Sequence, residues 1–327
     1  MRPRRRQPRR AGSTSGPLES GVAVLPLRSW LFVPGDSERK QEKALASAAD
    51  AVILDLEDSV ALAELPAARA RVANLLRSDR PHGAPQLWVR PNAPASGRLR
   101  EDLEAVFAGG APAGLVLPKV SAATEITAVV RQLAALEGRG GVRAGNTRLL
   151  IIATETPAAV LALPQYPAVL GRVKSLRQRI AGLTWGGEDL SAALGALTQR
   201  DATGALTFTF QLARTHCLLA AAALGVQAID TVCTDFRDPA RLQHELDAAR
   251  RDGFSGKLAI HPDQIAAINA AFAPTAAERE HAQRVVAAFA TAPAAGVVSL
   301  DGRMIDKPHL LQAQRILAVA ERARGGT

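Results

Sequence analysis

The chain has 327 residues, 47% of them hydrophobic and 22% charged, with a net charge of +9. That length and composition support a sizeable core and exclude a wholly disordered chain. No apolar run approaches the roughly 20 residues a bilayer span needs, the N-terminus lacks a signal-peptide apolar segment, and two cysteines cannot build a disulfide framework, so an intracellular, cytoplasmic protein with reduced, buried Cys217 and Cys233 is expected.

The chain opens with a basic segment. Six arginines fall within residues 1–10, and without them the rest carries +3. Residues 1–25 combine Arg, Pro, Gly and Ser with almost no acid and are expected to form a disordered, solvated tail. The same composition fits a mitochondrial transit peptide, which would move the protein to the matrix, but the prolines oppose the amphipathic helix such peptides form. A nucleic-acid-binding role through this tail is the non-enzyme alternative. It lacks any recognition motif or interleaved aromatic residues, so no specific nucleic-acid partner and no membrane partner is expected.

From there one pattern repeats. Apolar runs of strand length occur at 30–34, 51–56, 86–89, 114–117, 149–153, 180–184, 226–232 and 257–260. Between them lie segments with helical spacing, including 37–49, 66–77, 124–136 and 239–251. Eight strand–helix alternations over about 250 residues predict an α/β fold, a (β/α)8 TIM barrel spanning 26–273. A doubly wound sheet fits less well, because polar residues follow nearly every strand instead of gathering at one switch point. After a last barrel helix at 262–272, residues 274–327 are surplus and form a C-terminal helical extension.

The polar residues after the strands converge on one face of such a barrel. They are Asp36 to Arg39, Asp55 to Asp58, Arg90 to Asn92, Lys119, Glu155, Glu188 and Asp189, Asp230 to Asp235, and His261. Taken singly, each has a structural reading: Glu57 or Asp58 as a helix cap, Lys119 as a solvated stem, His261 as a turn residue, Arg39 and Lys43 as an i,i+4 pair on a helix surface. Acids delivered from the fifth and sixth strand ends toward one place call for a cation between them. Hard oxygen ligands with no Cys or His cluster nearby point to Mg²⁺.

The motifs themselves have a recognisable order: Leu31-Phe32-Val33-Pro34-Gly35, Leu54-Asp55-Leu56-Glu57-Asp58-Ser59, Val89-Arg90-Pro91-Asn92, Leu117-Pro118-Lys119-Val120, Thr154-Glu155-Thr156, Gly186-Gly187-Glu188-Asp189-Leu190, Ile260-His261-Pro262 and Asp301-Gly302-Arg303-Met304-Ile305-Asp306. In this the chain resembles, from about Arg28 to Arg322, the citrate lyase beta subunit-like proteins of the HpcH/HpaI aldolase superfamily, which include malyl-CoA and citramalyl-CoA lyases. Thr154, Ala159 and Gly187 depart from the common pattern at positions where Ile, Gly and Ala are usual.

The resemblance implies a Mg²⁺-dependent carbon–carbon lyase that cleaves or forms a 3-hydroxyacyl-CoA, such as malyl-, citramalyl- or citryl-CoA, with an acyl-CoA and a 2-oxo acid as its products. It places Mg²⁺ on Glu155 and Asp189, and puts Arg90 on the thioester oxygen or the substrate carboxylate. Glu57 and Asp58 would orient metal-bound waters or Arg90, and Phe32, Arg39 and Lys43 would bind CoA. Asp306 would act as acid/base from an extension that covers a neighbouring active site in a homotrimer or hexamer; a cap on the final helix is the competing reading for that residue. Alternatives are a citrate lyase beta subunit working on a carrier-bound thioester and an aldolase of free hydroxy acids.

Overall fold

A computed structural model describes residues 26–139, 142–293 and 295–324. The basic tail expected over 1–25 lies outside the described residues. Eight parallel strands close into a barrel: β1 (Ser29–Pro34), β2 (Ala51–Asp55), β3 (Gln86–Arg90), β4 (Gly114–Leu117), β5 (Arg148–Ile152), β6 (Ile180–Thr184), β7 (Gln227–Asp230) and β8 (Gly256–Ala259). Each pairs with the next, and β8 returns to β1 with Trp30 opposite Leu258. Among the described residues no helix is long and apolar enough to cross a membrane.

The apolar strands divide their side chains by the two-residue period of extended backbone. Trp30, Ile53, Trp88, Val116, Leu150, Ile152, Ile229 and Leu258 fill the barrel interior. Leu31, Val33, Val52, Leu54, Leu87 and Val89 face outward and pack under the surrounding helices. Trp30 and Trp88 meet edge to face with ring centroids 4.7 Å apart, and β4 starts with glycine because a Cβ on Gly114 would lie 2.2 Å from the Trp88 ring. The interior is thus a packed core, and open space lies at its two ends, the larger cavity where the strands end.

The first helix is shorter than its composition predicts, Glu38–Leu45 instead of 37–49. The Ser47 hydroxyl donates to the Ala44 carbonyl at 2.6 Å, taking an acceptor the next helical turn would need.

The extension is more than helical. Helix Ala276–Ala290, opened by a Thr275–Glu278 capping box, and helix Lys307–Arg324 flank an antiparallel hairpin of β9 (Val297–Leu300) and β10 (Arg303–Asp306). Asp301 and Gly302 form its turn with φ of +53° and +74°, the two-residue connection that Asp-Gly favours. The sequence reading missed this hairpin although the Asp-Gly signal was present. Ala282, Val285, Phe289, Ile305 and Ala313 give the extension its own small core. Arg250 on barrel helix Pro239–Asp252 reaches Glu278 at 2.5 Å and ties the two parts together.

Candidate active site

At the C-terminal ends of the strands lies a cavity of about 830 Å³, lined by Arg90, Asp55, Asp58, Glu155 and Asp189 on one side and by Phe32, Arg39 and Lys43 on another. Its floor is the top of the barrel core, Ile152 and Leu258, with Trp185.

Arg90 ends β3 and is clamped to Asp55 at the end of β2. Nε donates to Oδ1 and Nη2 to Oδ2, each at 2.7 Å, a bidentate fork between a largely buried guanidinium and a fully buried carboxylate. Asp55 also accepts from the Glu57 and Ser59 backbone N–H groups and from the Ser59 hydroxyl. Burial alone would raise the Asp55 carboxyl, but Arg90 and these donors hold it below the usual carboxylate range. The remaining Arg90 nitrogen lies 3.2 Å from Glu57 Oε2 and 3.6 Å from Asp58 Oδ2, and the guanidinium covers the Phe32 ring at 4.8 Å. Asn92 pins the next turn, donating to the Leu56 carbonyl at 2.9 Å and to Asp102 at 2.8 Å.

Glu155 follows β5 and is buried, and the loop after β6 is laced to it. Ala153 N–H donates to the Thr184 carbonyl at 2.8 Å, and Gly186 N–H donates to the Thr154 hydroxyl at 2.9 Å. The unusual threonine before the acid is therefore a cross-link between the two strand ends. Glycine at 186 is required by proximity, since a Cβ there would sit 2.6 Å from Glu155 Cγ. Asp189, in the first turn of helix Gly187–Leu194, completes the pair, whereas Glu188 is taken up by Gln199 at 2.8 Å.

Lys119, after β4, joins these groups. Its backbone N–H donates to Glu155 Oε2, and its ammonium lies 2.8 Å from Glu57 Oε1, 2.8 Å from Asp58 Oδ1 and 3.4 Å from Asp189 Oδ1. Burial works against that charge, but Asp58 and Glu57 outweigh it and hold the ammonium above the usual lysine range. Burial pushes the Glu57 carboxyl up to about 7 against the pull of Arg90 and Lys119. It pushes Glu155 well above the ordinary range, with Asp189 and Glu57 adding to the effect.

A buried carboxylate pushed up by burial and by neighbouring acids, with no cationic side chain paired to it among the described residues, suits a bound cation. Glu155 and Asp189 offer hard oxygens, as Mg²⁺ prefers. Among the described residues no three His, Cys, Asp or Glu side chains cluster closely enough to hold a metal alone, so such an ion would complete its shell from water and substrate.

Of the residues given roles from the sequence, all but Asp306 belong to this constellation: Glu57 stands behind the cavity wall on Arg90 and Lys119, and Phe32, Arg39, Lys43, Asp58, Arg90, Glu155 and Asp189 line the cavity. Arg39 and Lys43 stand exposed at the rim. Asp306 lies in the extension, outside the cavity lining, directly before the last helix; His309 Nδ1 is 2.5 Å from its Oδ1 and holds the carboxyl below its usual value. Asp230, expected on the cavity face, turns instead into the helix layer, where it pairs with Arg214 and Lys257 at 3.1 Å and accepts from Trp185 at 2.7 Å. Like the Leu54 side chain on β2, it occupies an outward position of its strand. His261 keeps its turn role, capping Pro262–Gln264 and stacking on Phe236 at 4.6 Å. Sequence reasoning undervalued Asp55 and Lys119. Their place at strand ends was readable, but not that the clamp on Arg90 and the centre of the acid cluster would be these two side chains.

A closed parallel barrel with an acid-rich cavity at its C-terminal end and a largely buried arginine facing it has the layout of a TIM-barrel enzyme. The chain belongs to the HpcH/HpaI aldolase/citrate lyase family, whose pattern it matches over residues 28–262. It is 35% identical to a (3S)-malyl-CoA thioesterase of Cereibacter sphaeroides, over 90% of this chain and 95% of that protein. It is 34% identical to the mitochondrial citramalyl-CoA lyase of Rattus norvegicus, over 92% and 88%. Among solved structures, that of protein CitE from Mycobacterium tuberculosis in complex with magnesium, acetoacetate and coenzyme A superimposes with a TM-score of 0.72 at 32% identity, covering 91% of this chain and 99% of that one.

Proposed function

We propose that this protein is a Mg²⁺-dependent lyase that cleaves, or in reverse forms, a 3-hydroxyacyl-CoA of the malyl-, citramalyl- or citryl-CoA kind, giving an acyl-CoA and a 2-oxo acid. The observation that carries this reading is a single cavity joining the acid pair Glu155 and Asp189 with Arg90 to a rim of Phe32, Arg39 and Lys43. The first set suits a 2-oxo acid and the second a nucleotide thioester, with cations for phosphates and an aromatic side chain for adenine.

Cleavage breaks the bond between the carbinol carbon and the thioester α-carbon. The hydroxyl gives up its proton, its oxygen becomes the carbonyl oxygen of the 2-oxo acid, and the bonding pair passes to the thioester as an enolate that is then protonated. Glu155 and Asp189 would hold the magnesium ion, which would supply Lewis acidity at the hydroxyl oxygen. Arg90, kept charged and oriented by Asp55, Glu57 and Asp58, donates to the thioester oxygen as enolate charge builds, or to the substrate carboxylate. Asp306 is assigned the acid/base role in the site of a neighbouring subunit within a trimer or hexamer. Its position outside its own cavity and the separate core of the extension support that reading. A cytoplasmic location belongs to the proposal, with the mitochondrial matrix as the alternative the arginine-rich tail would bring.

The test is to incubate the protein with Mg²⁺ and a panel of 3-hydroxyacyl-CoA diacids and to follow acyl-CoA and 2-oxo acid. One member should be cleaved in an EDTA-sensitive way, and Glu155→Gln and Asp189→Asn should each lose at least about 100-fold in kcat/KM while remaining folded. Release of free CoA without a 2-oxo acid, turnover only of carrier-bound thioesters, or turnover only of free hydroxy acids would each overturn the assignment.

A further inference from the structure

Lys119 has no part in the chemistry above, yet its backbone is the more unusual for it. It is one of two non-glycine residues with positive φ among the described residues, at +51°, and unlike Asp301 it is not in a hairpin turn. The left-handed region costs a β-carbon-bearing residue about 1 kcal/mol or more, so something must hold it there. What that conformation achieves is specific. The backbone N–H points at Glu155 Oε2 while the side chain turns back across the cavity wall to Glu57, Asp58 and Asp189. One residue thereby addresses four carboxylates delivered from the ends of β2 and β5 and from the helix after β6.

Arg90 does not do this work. Both oxygens of Asp55 occupy its fork, and its contacts with Glu57 and Asp58 are longer, 3.2 and 3.6 Å. Nor is Lys119 the solvated stem its sequence context suggests, since its Nζ is within 3.4 Å of three acids from two separate segments, Glu57 and Asp58 after β2 and Asp189 after β6.

We infer that the Lys119 ammonium is the built-in counter-cation of this site, neutralising the acid cluster while no divalent cation is bound and competing with that cation for Asp189. This rests on the assignment of Glu155 and Asp189 as the metal pair. Lys119 is then a positioning residue that sets how tightly Mg²⁺ is held, and not a catalytic one. A cation resident 3.4 Å from a metal ligand opposes a second cation by direct repulsion and by occupying the carboxylate it needs. Its removal has opposite effects on the two states: the metal-free site loses its internal neutralisation, and the loaded site loses a competitor.

The experiment measures Mg²⁺ affinity by titration calorimetry, and thermal unfolding with and without saturating Mg²⁺, for the wild type, Lys119→Asn, Lys119→Met and Lys119→Arg. Asparagine tolerates the left-handed backbone, so Lys119→Asn removes the charge with least strain, and Lys119→Met shows whether the amide itself matters. Both uncharged variants are expected to bind Mg²⁺ about five-fold more tightly. Their unfolding temperature should fall in EDTA and return near the wild-type value in Mg²⁺, and Lys119→Arg should behave like the wild type in both. Unchanged or weaker Mg²⁺ binding in the uncharged variants, or an equal loss of unfolding temperature with and without Mg²⁺, overturns the counter-cation role while leaving the metal assignment standing. Absence of Mg²⁺ binding to the wild type overturns the metal assignment and this inference with it.

Discussion

Replacing Asp55 by asparagine tests whether Arg90 is held in place by a buried ion pair or merely lies beside one. The substitution keeps shape and volume but removes the charge that faces the guanidinium, and it turns one acceptor oxygen into an NH₂ group. That group would confront donors, because Asp55 Oδ2 now receives Arg90 Nη2, the Ser59 N–H and the Ser59 hydroxyl, and Oδ1 receives Arg90 Nε and the Glu57 N–H. Whichever way the amide turns, at least two donors lose their acceptor in a place water scarcely reaches, Asp55 being 1% exposed. Breaking a buried pair by neutralising one partner costs about 3–5 kcal/mol. Arg90 can recover part of this from Glu57, already 3.2 Å away, so about 3 kcal/mol is the expected net loss. For a domain of this size that corresponds to a fall of about 6–12 °C in Tm. Chemical denaturation should report the lower stability as a smaller midpoint at unchanged slope. Turnover should fall as well, because Arg90 drawn toward Glu57 no longer points where the thioester oxygen is to lie. A Tm within 2 °C of wild type, with normal turnover, would refute the argument that Asp55 fixes Arg90.

Two further outcomes follow from other contacts. Glu137, fully buried, accepts both Arg179 Nη groups at 2.8 and 2.7 Å and the N–H groups of Gly145 and Thr147 at 2.9 Å; burial works against its charge, but these donors bring the carboxyl down to about 2. A depressed carboxyl adds stability that is present above the unfolded value near 4.5 and is lost as pH falls toward 2, so Glu137→Gln should be less stable than wild type by about 3 kcal/mol at pH 7, with the gap closing between pH 4.5 and 2; a gap independent of pH in denaturant titrations would contradict this. For the trans role of Asp306, Asp306→Ala and Glu155→Gln proteins, each inactive alone, should regain activity when unfolded and refolded together; failure to complement while both variants assemble would place Asp306 in its own subunit's site, and full activity of Asp306→Ala alone would leave it a helix cap.

Much of the architecture was legible in the residues because it is written in local periods. Apolar runs of four to seven residues separated by helical spacing anticipate all eight barrel strands to within a residue or two at most ends, and a parallel barrel places every strand's C-terminal residues on one face. Arg90, Glu155 and Asp189 could therefore be named as neighbours before their distances were known. What remained hidden depends on side-chain direction and on contacts between distant segments. Asp230 ends a strand as Glu155 follows one, but the two-residue period sends it outward to Lys257 and Arg214, and a shift of one residue would have reversed that. The hairpin of the extension is signalled by Asp301-Gly302, but its flanking strands are only four residues long, too short for a two-residue alternation to stand out.

The sequence by itself determined the barrel, the family and the set of acids and cations at the strand ends, since hydrophobic period and motif order are properties of neighbours along the chain. Only the tertiary structure decided which charges face each other: that Asp55 claims both sides of the Arg90 fork, that Thr154 laces Glu155 to the Gly186 loop, and that Lys119, in a left-handed backbone no composition announces, comes to lie among Glu57, Asp58 and Asp189. The physical reason is that an ion pair depends on angstroms between groups dozens of residues apart, and those separations are set when the barrel closes, not by any pattern its separate strands carry.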